Sequence, residues 1–384
     1  MKQRPRQFYE FFAGGGMARV GLGDNWNCLF ANEWSSKKAE SYRANFAPAS
    51  ELKVDDIWRL SAGDLPGQAD FAWASFPCQD LSLAGNGAGL EGSRSGTLIK
   101  FWSLMRDLAR AGRRVPIIAL ENVVGALTSS EGRDFRAMAE LAAGAGYRFG
   151  AIVVDAAKFV PQSRPRLFFI AVSELISIPV RHELEEPGGD WHSPRLRAAV
   201  ANLSPDLQGR WLWWSLPRAP KMTRSLNDII EFHNDALTWH PTEETQRLLA
   251  MMSETNAAKV RTASEYGKRI VGTVYKRVRI ENGVRVQRAE VRFDQISGCL
   301  RTPVGGSSRQ TVLIVEGRSV RSRLMSPREA VRLMGLPESY RLPPRYNDAY
   351  HLAGDGVVVP VVRFLASQIL EPLLAGGADC RAAA

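Results

Sequence analysis

Cysteine is scarce in this chain: there are four among 384 residues, at Cys28, Cys78, Cys299 and Cys380. Their spacing fits neither a zinc site nor a disulfide framework, which excludes a metal-stapled or disulfide-stapled scaffold and points to a reducing compartment. Long hydrophobic runs are missing too, as is a signal-peptide pattern, because residues 1–7 are basic and lead straight into an aromatic, strand-like run. No membrane association and a cytoplasmic, nucleoid-associated location are therefore expected. Internal repeats are absent. Acidic charge is in short supply: 40 Asp and Glu face 50 Lys and Arg, a formal net charge of +10. Such an excess suits a polyanionic partner, nucleic acid first. What remains is ordinary. With 45% hydrophobic and 23% charged residues the chain can bury a core, and its length leaves room for a catalytic domain plus a second module.

The first half alternates short apolar runs with helical periodicity. Strands are expected over residues 8–12, 28–32, 70–75, 115–120, 152–154 and 167–172, and helices over 35–46 (capped by Ser35 or Ser36), 97–110 and 135–143. Strands separated by helices argue for a parallel, doubly wound sheet with both faces covered. From about Ser173 to Val320 the alternation is lost and tryptophans cluster, at Trp191, Trp211, Trp213, Trp214 and Trp239. Between Lys259 and Arg292 basic residues far outnumber acidic ones. Residues 271–275 and 285–292 alternate as a hairpin would, so this run is either a solvated hairpin face or a nucleic-acid surface.

Four segments carry chemistry. Phe11-Phe12-Ala13-Gly14-Gly15-Gly16-Met17 follows a strand and precedes a helix, where glycines let the backbone turn tightly and approach a ligand. Glu33 lies about 20 residues further on, where a carboxylate can accept ribose hydroxyls. The spacing is not G-x-G-x-x-G, so an adenosine-bearing cofactor without a pyrophosphate fits better than a dinucleotide; the bland alternative is a plain tight turn. Phe76-Pro77-Cys78-Gln79 lies just past an apolar strand, at the carboxyl edge where α/β sheets place ligands, and residues 82–96 after it are rich in Gly and Ser. A cysteine there is a candidate nucleophile rather than an inert core residue. Glu121-Asn122-Val123 follows the expected strand over 115–120, which brings a carboxyl group to the same edge; Asn122 could equally cap a helix. In Pro161-Gln162-Ser163-Arg164-Pro165-Arg166, alternation puts Gln162, Arg164 and Arg166 on one side. Two guanidiniums facing one way can hold a carbonyl oxygen or a phosphate, or stay solvated.

In this order, these segments resemble the DNA cytosine-5 methyltransferase family of bacteria and phages. Phe12-Ala-Gly-x-Gly looks like its cofactor loop, Asn32-Glu33-Trp34 and Asp55-Asp56-Ile57 like the next cofactor segments, and Pro77-Cys78-Gln79 like its nucleophile motif. Residues 89–98, Glu121-Asn122-Val123 and Gln162-x-Arg164-x-Arg166 look like the motifs that follow, and residues 326–337 and Gly354-Asp355-Gly356-Val357 like the last two. Glu10 stands where the family usually has Asp, Met17 where a further Gly is common, and Gly354-Asp355-Gly356 departs from the usual Gly-Asn-Ser or Gly-Asn-Ala.

The resemblance implies an α/β fold, a doubly wound, mostly parallel sheet of the class I methyltransferase, Rossmann-like type. A smaller, mostly β target-recognition domain would be inserted in it. Residues 1–175 would form the catalytic and cofactor-binding domain, 176–320 the target-recognition domain, and 321–384 the return to the catalytic domain. It implies S-adenosyl-L-methionine as cofactor, leaving S-adenosyl-L-homocysteine. Phe12 would stack on the adenine, Glu33 take the ribose hydroxyls, Trp34 pack on the cofactor and Asp56 accept from the adenine amino group. Ala13, Gly14, Gly16, Met17, Ile57, Pro77, Asp355, Gly356 and Val357 would complete the cofactor site. Cys78 would attack cytosine C6, Glu121 hold or protonate N3, Asn122 orient that segment, and Arg166 with Arg164 contact the cytosine O2. Double-stranded DNA would be the partner of a monomeric enzyme, contacted by Gln79, Ser82, Arg94, Gln162, Arg301, Arg309 and Gln310, and a restriction endonuclease could accompany it. A tRNA methyltransferase of the same family and a non-catalytic DNA-binding regulator are the alternatives. An amino-group methyltransferase needs an Asp/Asn-Pro-Pro-aromatic loop, which the sequence lacks.

Overall fold

The computed structural model describes residues 4–76, 96–232, 234, 237–302 and 309–376. The largest sheet contains seven strands: β1 (Arg6–Phe11), β2 (Trp26–Glu33), β3 (Leu52–Val54), β4 (Phe71–Ala74), β5 (Ile117–Val123), β6 (Tyr147–Asp155) and β7 (Pro165–Ser173). Their order is β3-β2-β1-β4-β5-β7-β6. The pairs β2–β3, β1–β2, β1–β4 and β4–β5 are parallel, while β7 runs antiparallel to β5. This is the expected doubly wound, mostly parallel sheet. Its centre shows why the expected strands were runs without alternation: all four residues of β4, Phe71-Ala72-Trp73-Ala74, are buried, as they must be when helices cover both faces.

Expected elements recur with small shifts. The helix Thr97–Arg110 has the expected bounds, and its buried stripe is Leu98, Phe101, Trp102, Leu104, Met105 and Leu108. Ser35 stands at the N-cap of the helix Ser36–Asn45, but its side chain makes no capping hydrogen bond. The strand expected over 115–120 starts two residues later, after Pro116, and runs on to Val123. Glu121 and Asn122 are therefore strand residues, and the helix-cap alternative for Asn122 does not apply.

By compactness the chain divides into two units. The first comprises residues 1–154, 165–219 and 359–384; the second comprises 155–164 and 220–358. The α/β unit is thus built from both chain ends. The helix Val359–Leu365 packs on the helix Met17–Leu22 so closely that a Cβ at Gly21 would lie 2.5 Å from Val362 Cβ. Compactness cuts the chain at points other than 175 and 320, because residues 176–219 join the first unit's core. Leu196, Val200, Leu203, Leu207 and Trp211 belong to the same apolar cluster as Phe149 and Phe169. Two short strands, β8 (Glu183–Leu184) and β9 (Trp213–Trp214), pair within this stretch.

The second unit holds an antiparallel sheet of β10 (Ile270–Glu281), β11 (Val284–Arg292), β12 (Thr311–Glu316) and β13 (Ser319–Leu324), in the order β11-β10-β12-β13. Helices Thr242–Ala250 and Glu254–Glu265 supply Leu248, Val260 and Ala263 to its core, and Met252 between them joins it. Against the expectation of no run long enough to span a bilayer, Tyr346–Ala375 passes by length and composition. However, 61% of its apolar window is buried inside the protein, and residues 356–358 are not helical, as in core helices rather than a span.

Candidate active site

The glycine-rich loop leaves the carboxyl end of β1. Phe12 adopts φ 57°, a left-handed backbone uncommon for an aromatic residue, and Gly14 follows at φ 57° and Gly16 at φ 75°. The two glycines do different jobs. A Cβ on Gly16 would come 2.3 Å from the Phe46 ring, so Gly16 is needed for packing, whereas a Cβ on Gly14 would meet nothing within 4 Å and faces open space. Glu33, 3% exposed at the end of β2, holds the loop: Gly14 N–H donates to its Oε2 at 2.8 Å and Ser35 N–H to its Oε1 at 2.8 Å. Each carboxylate oxygen has a second acceptor position, so hydroxyl groups can still be received. Trp34 is 72% exposed beside it. Asp56 is exposed at the start of a short 3-10 turn, accepting from Trp58 N–H at 3.0 Å, and Ile57 is buried behind it. Open space over a glycine, a carboxylate and an exposed indole at one sheet edge fit an adenosine-bearing cofactor.

Two residues that the sequence reading placed in motifs but gave no role of their own support this edge. Asn32 donates from Nδ2 to the Asp55 carbonyl at 2.8 Å and to the Lys53 carbonyl at 3.3 Å, tying β2 to β3. Glu10 is 1% exposed within β1, one of its oxygens has no partner, and its carboxyl also accepts from the Arg19 backbone N–H. The signal was a lone charge inside Phe8-Tyr9-Glu10-Phe11. Burial pushes this carboxyl up to about 8, against the attraction of Arg19, while Glu51 and Glu33 push it further up. The folded protein therefore keeps a proton that the unfolded chain releases near pH 4.5. Stability is full below that pH and falls as pH rises toward 8, by about 1.4 kcal/mol per pH unit. Denaturant midpoints of wild type and Glu10→Gln between pH 5 and 8.5 test this; the variant is expected to lose that slope, and equal slopes would refute the assignment.

At the end of β5, Glu121 is 6% exposed and its Oε1 lies 3.1 Å from Nε of Arg166 on the adjacent β7. Asn122 donates from Nδ2 to the Phe76 carbonyl at 3.1 Å and accepts Val123 N–H at 2.8 Å. It thus fixes the end of the segment that leads to Pro77 in the sequence. Pro77, Cys78, Gln79, Ser82 and Arg94 lie outside the described residues.

The two arginines of one short motif part ways. Arg164, 2% exposed, donates from Nη1 to the Leu300 carbonyl at 2.9 Å and from Nη2 to the Gly354 and Gly356 carbonyls at 2.8 Å each. Its Nη1 also lies 3.5 Å from Cys299 Sγ. All of these partners belong to the second unit, and Arg164 acts there as a buried tie.

A profile of the C-5 cytosine-specific DNA methylase family matches residues 6–371. The chain belongs to that family. It is accordingly a DNA (cytosine-5) methyltransferase. Type II methyltransferase M.HhaI of Haemophilus parahaemolyticus is 24% identical over 367 residues, covering 94% of both chains. M.BsuFI of Bacillus subtilis is 25% identical over 370 residues, 96% of this chain and 73% of its own length. Among solved structures, a DNMT2 variant from Spodoptera frugiperda superposes with a TM-score of 0.61 at 16% identity, over 96% of this chain and 99% of that one. At that identity the likeness speaks for the fold.

For this family member, the remaining expected contacts fall into two groups. Gln162 is fully buried: its Oε1 accepts Leu300 N–H at 3.1 Å and its Nε2 donates to the Leu333 carbonyl at 2.9 Å. Gln310 is 3% exposed and donates to the Cys299 carbonyl at 3.3 Å. The structure gives both glutamines scaffold positions rather than the DNA-facing ones expected. Arg309 donates to Asn347 Oδ1 at 2.5 Å and lies over the Tyr346 ring, whereas Arg301 is exposed. Asp355 is exposed and accepts from the Thr302 hydroxyl, Gly356 is half-buried and Val357 is buried.

Proposed function

We propose that this protein methylates C5 of cytosine at one short sequence in double-stranded DNA, through a covalent adduct of Cys78 with C6 of a base flipped out of the duplex. The observation that supports this most is the buried Glu121 held by Arg166 at the end of β5. That is the donor set needed where a pyrimidine ring must be gripped by its polar edge. S-adenosyl-L-methionine, when bound, supplies an electrophilic methyl group. Phe12, Ala13, Gly14, Gly16, Met17, Glu33, Trp34, Asp56 and Ile57 would hold it, with Pro77, Asp355, Gly356 and Val357.

The chain's own residues do the rest. The thiolate of Cys78 adds to C6, and the electron pair of the C5–C6 double bond is thereby made available at C5. Glu121 bonds the ring at N3, and Arg166, positioned by Glu121, bonds O2. After transfer the C5 proton leaves to a base, the C5–C6 double bond re-forms and the thiolate departs. Flipping costs on the order of a few kcal/mol. The first unit, residues 1–154, 165–219 and 359–384, would be the catalytic domain, and the target-recognition domain would lie within residues 220–358 rather than 176–320. The enzyme would work as a cytoplasmic monomer, beside a restriction endonuclease or alone.

The test is incubation with duplex DNA and labelled-methyl cofactor, followed by bisulfite sequencing. Label at C5 within one recurring sequence is expected. Label on tRNA alone would move the substrate to RNA, and no transfer to either nucleic acid would refute the reading.

A further inference from the structure

The strand β10 is longer than its place in the sheet requires. Residues Ile270–Val274 pair with β12, but the strand continues to Glu281 with β11 as its one partner among the described residues. Seven residues from Tyr275 to Glu281 extend about 20 Å as a two-stranded ribbon. The Asn282-Gly283 turn closes it, both residues having positive φ (50° and 78°), as the tight hairpin turn demands. A lone two-stranded ribbon is marginal in water, and one face of this one is braced. On that face Arg279 Nε donates to Glu290 at 2.7 Å, Arg288 Nε to Glu281 at 2.8 Å, and the Tyr275 hydroxyl to Glu290.

The opposite face has a different chemistry. Cross-strand pairs share a face, so Val278 opposite Gln287 and Ile280 opposite Arg285 lie together, with Lys276 further in. Val278 is 53% and Ile280 75% exposed, and Arg285 and Gln287 are exposed as well. Neither Arg285 nor Gln287 has a side-chain partner among the described residues. The ribbon spends its acidic residues, Glu281 and Glu290, on the braced face, leaving this one basic and apolar.

We infer that this face of the ribbon, carrying Val278, Ile280, Arg285 and Gln287, is a base-reading arm that lies in the major groove of the substrate duplex. The inference rests on the DNA-methylating reading above. A two-stranded ribbon fits that groove, which is about 12 Å wide. Arginine and glutamine are donors suited to guanine and adenine edges, and apolar side chains suit the thymine methyl. The charge is complementary to a polyanion, and the excess of basic residues between 259 and 292 surrounds the arm. The expected readers Gln162 and Gln310 are buried, whereas this face is open.

The experiment uses the full-length protein and three readouts: duplex affinity by fluorescence anisotropy, the methylated sites by bisulfite sequencing, and cofactor affinity by calorimetry. The variants are Arg285→Ala with Gln287→Ala, Val278→Thr with Ile280→Thr, and on the braced face Arg277→Ala. Each reading-face variant is expected to weaken specific duplex binding about tenfold or to relax the methylated sequence, with cofactor affinity and thermal unfolding unchanged. Arg277→Ala is expected to weaken all duplexes alike. Wild-type affinity and an unchanged site pattern in both reading-face variants would overturn the proposal. So would a wild-type dimer that Val278→Thr with Ile280→Thr dissociates while DNA affinity is retained, since the face would then be a contact between copies. If wild type methylates no DNA, the functional reading fails separately; the arm stands if reading-face variants still lose duplex affinity and falls if they do not.

Discussion

Cys78→Ala protein is expected to transfer no measurable methyl group to DNA, a loss of at least about 10⁴-fold in turnover. Cytosine C5 is a weak nucleophile in the intact ring, and bond formation at C6 is what makes it reactive. No other described cysteine can substitute. Cys28 is buried in the first unit, its thiol pushed up to about 12 by burial, with Glu10 adding to the shift, so it carries no thiolate at neutral pH. Cys299 lies in the second unit, with its Sγ 3.3 Å from the Leu300 carbonyl and in contact with Arg164. Cofactor affinity and the unfolding midpoint are expected to match wild type, since alanine removes one sulfur atom. Residual C5 methylation in the Cys78→Ala protein, found by bisulfite sequencing, would contradict a covalent route.

Arg164 and Arg166 are expected to fail in opposite ways when Arg164 is replaced by alanine and Arg166 by lysine. Loss of Arg164 leaves the Leu300, Gly354 and Gly356 carbonyls without their charged donor in a buried place. Hydrogen bonds to a charged group contribute about 1.5–3 kcal/mol each, so destabilisation of about 3 kcal/mol or more is expected, with activity lost through the fold. Arg166→Ala would leave the buried Glu121 carboxylate without its cation, at a cost of about 3–5 kcal/mol, whereas Arg166→Lys keeps a charge beside it and should shift stability by less than about 1 kcal/mol. Its turnover should nonetheless drop about 10²–10³-fold, the usual effect of removing a positioned donor. Parallel urea titrations and single-turnover rates separate the two. Equal destabilisation by both substitutions would mean that Arg166 is structural as well.

Local pattern carried the fold a long way. Continuous apolar runs marked the parallel strands, because a strand covered on both faces has no polar side to show, and helical periodicity gave Thr97–Arg110 its bounds. Segment order was enough to mark the family, because each motif is a few contiguous residues at the end of a strand. Ser326-Pro327-Arg328-Glu329 is another local device: Glu329 N–H bonds the Ser326 hydroxyl at 3.1 Å and Ser326 N–H the Glu329 carboxylate at 2.7 Å.

What the tertiary structure decided was which polar residues are buried. Gln162, Arg164 and Arg166 share one alternating segment, yet the first two vanish into backbone contacts from residues 136 to 192 positions away, which no local pattern encodes. Glu329 is equally opaque: its capping role is local, but its fully buried ion pair with Arg323 comes from β13 packing beside the helix. The basic run between Lys259 and Arg292 had two readings from sequence, solvated hairpin or nucleic-acid surface. Strand register divides it into a braced face and an open one, because alternation places neighbouring residues on opposite sides and only cross-strand pairing says which charges meet.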